Sequence, residues 1–314
     1  MIEKLKKESF TAPLLVLAVA LLSVLVGSIP VMDAIQSKEE LFLTSVILEL
    51  LIFVLPGVFY AKCKKRGYTS QLQLISFGFS KLPLVVLMSL VMAMGAILMS
   101  LIYTHFGLSF DSSTSFLQEA VALSGEAYFE SEKDVVYLAL VLAVVPAFAE
   151  EFFFRGILLK EYSRYGMFPS ILVCALFFAM LHFDLTLFPV YFLAGMALGY
   201  TAYATRSAFA AGAVHAIFNL FSLFVSPLVS NFISLESGKI AVFYVVTVLF
   251  LLLLMLAFGE GERLFAGYSV SGISSPRRVQ KRFAALPPSF EMLSPTFLIC
   301  VLLFVLVALK ILPV

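Results

Sequence analysis

Apolar stretches long enough to cross a bilayer recur along almost the whole chain, and they constrain its fold more than any other feature. A hydrocarbon core about 30 Å thick needs roughly 20 consecutive apolar residues to span it as a helix. Such stretches fall near Ala12–Met32, Leu41–Ala61, Leu82–Tyr103, Val135–Leu159, Phe168–His182, Phe188–Thr205, Ala208–Val229, Ile240–Phe258 and Phe297–Leu312. The pattern predicts an all-α, polytopic transmembrane helix bundle of about nine spans. The fifth and sixth stretches nearly merge, so eight is the lower count. Of the 314 residues, 61% are hydrophobic and only 13% charged. Soluble domains run nearer 45–50% and 25%, so lipid is the solvent in which this much apolar surface can be accommodated.

The connecting loops supply an independent check. Lys4, Lys6 and Lys7 precede the first span, Lys62, Lys64, Lys65 and Arg66 follow the second, and Lys160 and Arg164 follow the fourth. Arg206 follows the sixth, and Arg263, Arg277, Arg278, Lys281 and Arg282 follow the eighth. If every stretch crosses, all of these lie on one side. Asp33, Glu39 and Glu40, and the acidic run Asp111, Glu119, Glu126, Glu130, Glu132 and Asp134, lie on the other. Lys and Arg concentrate on the cytoplasmic face, which predicts a cytoplasmic N-terminus in a multi-pass protein of a bacterial-type inner membrane. The long first apolar run, with no small-x-small cleavage site behind it, reads as an uncleaved signal anchor.

A net charge of +1 lacks the concentrated basic footprint of a nucleic-acid binder. Cys63, Cys174 and Cys300 are scattered without ligand spacing and read as unpaired. Three regions follow: N-terminal spans with the acidic outer loop over 1–134, a polar-bearing core over 135–230, and C-terminal spans over 231–314. The last contains a basic cytoplasmic loop, 259–295, which reads as a flexible segment near anionic lipid.

Ionisable side chains inside a span cost roughly 2.5–3.5 kcal/mol on insertion scales and therefore face partners or polar spaces. Here they gather in Glu150-Glu151-Phe152-Phe153-Phe154-Arg155, at His182, and in His215-xxx-Asn219. The third histidine, His105, sits at a span end and reads as solvated. Glu151 and Arg155 are four apart with the acid first, the favourable order for a same-face ion pair. Glu150 is turned about 100° away on the helix and lacks that partner. It is the candidate general base, with Glu151 and Arg155 as scaffold. Pro146 removes a backbone bond four residues earlier and predicts a bend there. His215 and Asn219 share a helix face and can both donate to one oxygen, as an oxyanion site requires. Gly212 gives room on the same side, and Gly195-xxx-Gly199 reads as a helix-packing face.

Taken in order, Glu150-Glu151…Arg155, Phe178…His182 and His215…Asn219 resemble the EExxxR, FxxxH and HxxxN motifs of the CAAX protease and bacteriocin-processing family of intramembrane glutamic proteases, also called Abi. The resemblance covers roughly Val135 to Val229. It implies an intramembrane endopeptidase in which Glu150 and His182 activate water, His215 and Asn219 hold the oxyanion, and Glu151 and Arg155 are structural. A peptide or membrane-protein substrate and the lipid bilayer are the implied partners, with no nucleic acid and no cofactor.

Two rival readings use the same residues. Glu150, His182 and His215 form a two-histidine, one-carboxylate set of the kind that holds zinc, although no HExxH is present. A non-enzymatic transporter or immunity protein with an acid–imidazole relay is the other, against which stands the lack of matching broken helices in two halves. One expectation strains the enzyme reading: His182 falls near the outer end of its span and Glu150 deeper, so their meeting requires a shifted boundary or a short, tilted fifth helix.

Overall fold

The computed structural model describes residues 11–29, 38–64, 68, 72–108, 132–225, 239–271 and 294–312. Among these residues the structure is helical without strands, and nine helical segments follow the nine expected stretches. We number them α1 (Thr11–Gly27), α2 (Lys38–Cys63), α3 (Phe79–His105), α4 (Glu132–Tyr165), α5 (Met167–Met180), α6 (Phe188–Thr205), α7 (Ala208–Phe224), α8 (Lys239–Val270) and α9 (Pro295–Ala308). Segments within α2, α3 and α4 change helical pitch without breaking the rod. By length and composition four of them, in α2, α3, α4 and α8, are long and apolar enough to cross a membrane. Shorter apolar helices, α1, α5, α7 and α9, accompany them. The acidic residues 111–130 and most of the basic 259–295 stretch lie outside the described residues.

Among the boundaries that differ from expectation, two bear on the packing of the polar-bearing helices. The fifth helix stops at Met180, leaving His182 in the turn that follows. The eighth helix continues past Phe258 to Val270, because neither Gly259 nor Gly261 breaks it. A Cβ on Gly261 would overlap the Tyr200 hydroxyl, so glycine there allows α6 and α8 to approach closely. Arg263 stays on the helix by pairing with Glu260 at 2.5 Å and donates to the Ser80 carbonyl at 2.6 Å.

The polar-bearing helices are the buried ones. Phe153, Phe154, Phe177, Phe178 and Tyr162 are among the largest fully enclosed side chains, whereas α8 leaves Tyr244, Val248 and Met255 more than half exposed. An apolar surface of that kind suits lipid contact. Within α4 the helix widens to i→i+5 bonding over Ala139–Val144, where the Val145 amide donates to the Leu140 carbonyl. Pro146 follows at once and explains the widening, since it has no N–H and its ring would collide with the carbonyl four residues back. The same pairing occurs in α2, where a widened turn over Leu50–Val54 precedes Pro56. At Pro146 the structure thus shows a π-turn.

Small residues set the remaining contacts. A Cβ on Gly195 would sit 2.8 Å from the Ala175 Cα, and one on Gly199 would sit 3.0 Å from Ile171, so the Gly195-xxx-Gly199 face packs α6 directly on α5. Gly212 receives the ring of Phe148 from α4 rather than open space. Arg206, with φ 55°, turns α6 into α7, and Ser207 caps α7 by accepting from the Ala210 amide at 3.2 Å. An extended segment, 72–78, crosses this turn. Its Gln73 carbonyl accepts from the Ala208 amide at 2.8 Å, and its Ile75 carbonyl accepts from Ser207 Oγ at 2.5 Å.

Replacing Gly195 by valine places new atoms against α5 backbone that cannot yield. The expected cost is about 1–3 kcal/mol, read as a lower melting temperature of the detergent-solubilised protein. An unchanged melting temperature would show that α5 and α6 do not approach this closely.

Candidate active site

Glu151 and Arg155 are each only 1% exposed. Arg155 Nη1 donates to Glu151 Oε1 at 2.5 Å, and Nη2 donates to the Gly195 carbonyl at 3.0 Å. The guanidinium also lies over Phe178, 4.8 Å from the ring centroid, and 5.5 Å from that of Phe154. An aromatic face attracts a desolvated cation, which suits an arginine whose Nε has no hydrogen-bond partner. The ion pair read from the four-residue spacing is therefore present, and it fastens α4 to α6 as well as to itself.

Glu151 has a second partner that helix geometry alone did not suggest. His215 Nδ1, on α7, lies 3.2 Å from the same Oε1. A carboxylate only accepts, so Nδ1 carries the proton in this contact and Nε2 is the ring nitrogen left free. Glu151 thus orients His215 in addition to neutralising Arg155.

His182 shows the same division of labour. Its Nδ1 lies 2.7 Å from the Phe178 carbonyl, one turn back. A carbonyl oxygen also only accepts, so Nδ1 again donates and Nε2 retains a lone pair. The Phe178 ring stands between the two imidazoles, with centroids 4.7 Å from His182 and 5.9 Å from His215. The phenylalanine of the second motif therefore does three things: its carbonyl fixes one histidine, its ring packs on both, and its face meets Arg155.

Glu150 is half-buried, and its Oε2 is enclosed without a hydrogen-bond partner. It lies within electrostatic reach of Glu151 and Arg155, as its neighbours on α4, and of Tyr191 on α6. Tyr191 in turn stacks on His182. Asn219 Nδ2 donates to the Ala143 carbonyl at 3.4 Å, inside the widened turn of α4. An amide nitrogen has two hydrogens, so a second donor remains. The three motifs, distant in sequence, accordingly gather on α4, the end of α5 and α7.

Two neighbours were missed from the sequence. Glu49, in α2 just before its widened turn, has a buried, unpartnered Oε2 and is the largest charged influence on Glu150. It lies inside an expected span, so the rule that picked out the other ionisable residues should have found it. Tyr191 gave no signal, because a tyrosine in an apolar helix is ordinary.

Both free Nε2 atoms belong to imidazoles held from behind by oxygen, an arrangement also used by metal-bound histidines. Among the described residues, however, no three His, Cys, Asp or Glu side chains are grouped to hold a metal ion.

Truncating Arg155 to alanine would strand the Glu151 charge in the core. A broken buried pair costs about 3–5 kcal/mol, so the variant is expected to lose folded yield and melting temperature. Arg155→Lys should rescue little of this, because one ammonium does not reproduce the guanidinium fork. Full stability of either variant would remove the pair from the list of things that hold α4 to α6.

Comparison with known proteins agrees with the motif reading. The family model described as Type II CAAX prenyl endopeptidase Rce1-like matches residues 132–221, which run from the start of α4 through His215 and Asn219. No curated protein and no solved structure matches the chain. Over that stretch, which holds all seven motif residues, the chain is similar in sequence to the Rce1-like CAAX prenyl endopeptidases.

Proposed function

We propose that this protein is an intramembrane endopeptidase that hydrolyses a peptide bond with water activated by Glu150 and His182. The observation that carries the proposal is the matched presentation of the two imidazoles. Each has Nδ1 committed to an oxygen acceptor and Nε2 free, beside a carboxylate with an unpartnered oxygen. His182 Nε2 accepts a hydrogen bond from the water and aligns it. Glu150 takes the proton as the hydroxide adds to the scissile carbonyl carbon. His215 and Asn219 donate to the oxygen that becomes negative. In this role His215 carries a proton on Nε2 in addition to the one it gives Glu151. As the C–N bond breaks, Glu150 returns its proton to the leaving amine, so the enzyme ends as it began.

The chemistry of each part fits its surroundings. A positioned acid–base group typically contributes about 10²–10⁴ in rate, and donors fixed in a dry site stabilise a developing oxyanion without reorganisation. Glu151 and Arg155 hold the frame. The loop charges support eight to nine crossings with the N-terminus in the cytoplasm. The substrate is a peptide or membrane protein. The mechanism uses no metal. Chelation of the purified protein is expected to leave hydrolysis intact, and loss of activity restored by zinc would favour the metalloprotease alternative.

Asn219→Ala is expected to lower turnover by about 10²–10³ while the protein stays folded, and Glu150→Gln should leave almost none. The measurement is hydrolysis of a quenched, prenylated peptide by protein reconstituted in liposomes, joined to a search for new protein termini in membranes of cells carrying the native or Glu150→Gln chain. Wild-type cleavage by the Glu150→Gln protein would refute the assignment.

A further inference from the structure

The residue in closest aromatic contact with His182 belongs to no motif. The Tyr191 ring lies nearly parallel over the imidazole, with centroids 3.8 Å apart and planes inclined by 24°. Two features of the local chain hold it there. Phe183, immediately after His182, has φ 51°, a left-handed conformation that a bulky side chain rarely adopts and that persists only where the surroundings enforce it. Asp184 then accepts from the Leu187 amide at 2.9 Å, which sets the start of α6 and puts Tyr191 in its first turn. The turn 181–187 therefore folds α6 back so that its fourth residue covers the histidine.

We propose that Tyr191 is a positioning residue of the catalytic centre, and that its aromatic face, rather than its hydroxyl, holds the His182 imidazole in one orientation. This rests on the hydrolase reading given above. The hydrogen bond from Nδ1 to the Phe178 carbonyl pins one edge of the ring but leaves it free to tilt about that bond. The stacked phenol removes the tilt, because parallel, closely spaced rings lose contact on rotation. Nε2 is thereby kept at a fixed height and angle. Among the described residues, the ring interactions of His182 are with Phe178, one turn back on α5, and Tyr191 on α6. Removing the second leaves only a local support.

Two substitutions separate the face from the hydroxyl. Tyr191→Phe keeps the ring, and Tyr191→Leu keeps much of the apolar volume without a flat surface. Displacing a reacting group by about 1 Å costs up to about 10²-fold, so Tyr191→Leu is expected to lower kcat by about tenfold to 10²-fold with KM nearly unchanged. Tyr191→Phe should remain close to wild type. A labelling experiment needs no substrate: in micelles, diethyl pyrocarbonate should modify His182 several-fold faster in Tyr191→Leu than in the wild type or Tyr191→Phe, by mass spectrometry, with exposed His105 as the internal standard. Equal labelling of His182 in Tyr191→Leu and wild type would overturn the proposal, as would a loss in Tyr191→Phe matching that in Tyr191→Leu. Absence of peptide hydrolysis by the wild-type protein would instead sink the hydrolase reading, while the labelling would still decide whether Tyr191 holds the ring.

Discussion

Glu151 Oε1 is the point at which the polar interior of this protein is tied together. An enclosed carboxylate is costly unless charge and hydrogen bonds compensate it, and here the compensation comes from two other places in the chain. Arg155 supplies the charge from the same helix and spends its other prong on the Gly195 carbonyl of α6. His215 supplies a hydrogen bond from α7. Three helices are thereby fixed relative to one another by groups that have no alternative partner in an apolar interior. The same contacts decide the tautomer of one histidine and, through the arginine face on Phe178, the packing of the other.

Around that point the backbone is shaped by residues that weaken it. Pro146 forces a widened turn in α4, and the carbonyl of Ala143 in that turn meets the Asn219 amide. Irregular backbone at membrane depth persists where protein groups satisfy it, so the proline and the asparagine complement each other across two helices. In α2 a second widened turn and Pro56 follow Glu49, the acid nearest in influence to Glu150. Gly57 then lets α2 lie against Phe152 and Ile157 of α4. Glycines and prolines thus do here what apolar burial does in a soluble core: they set how closely helices approach and where a rod changes phase. Since lipid is as apolar as leucine, close packing and polar contacts are what remain to hold helices together.

A large share of the architecture could be read from the chain. Periodic apolar runs gave nine helical segments because hydrocarbon thickness fixes their length, and α6 began and ended where it was expected. The four-residue spacing of Glu151 and Arg155 gave the ion pair, since a helix places those positions on one face. Order and spacing of the polar triplets gave the family resemblance that the match over residues 132–221 supports. Boundaries were less legible where glycine was read as an end: Gly259 lies inside α8, and nothing local announces that Tyr200 of another helix will pack beside Gly261.

What sequence alone determined is therefore everything that depends on neighbours within a few positions or on the solvent: helices, their apolar character, the Glu151–Arg155 pair, and the polar residues too expensive to be incidental. Tertiary structure decided which of these meet. That His215 binds Glu151, that Phe178 packs on both imidazoles, and that Tyr191 stacks on His182 all depend on residues from different elements. Such contacts are set by crossing positions and rotations of whole helices about their axes. No periodicity along a single segment encodes them, because rotating one helix against its neighbour leaves every local spacing unchanged.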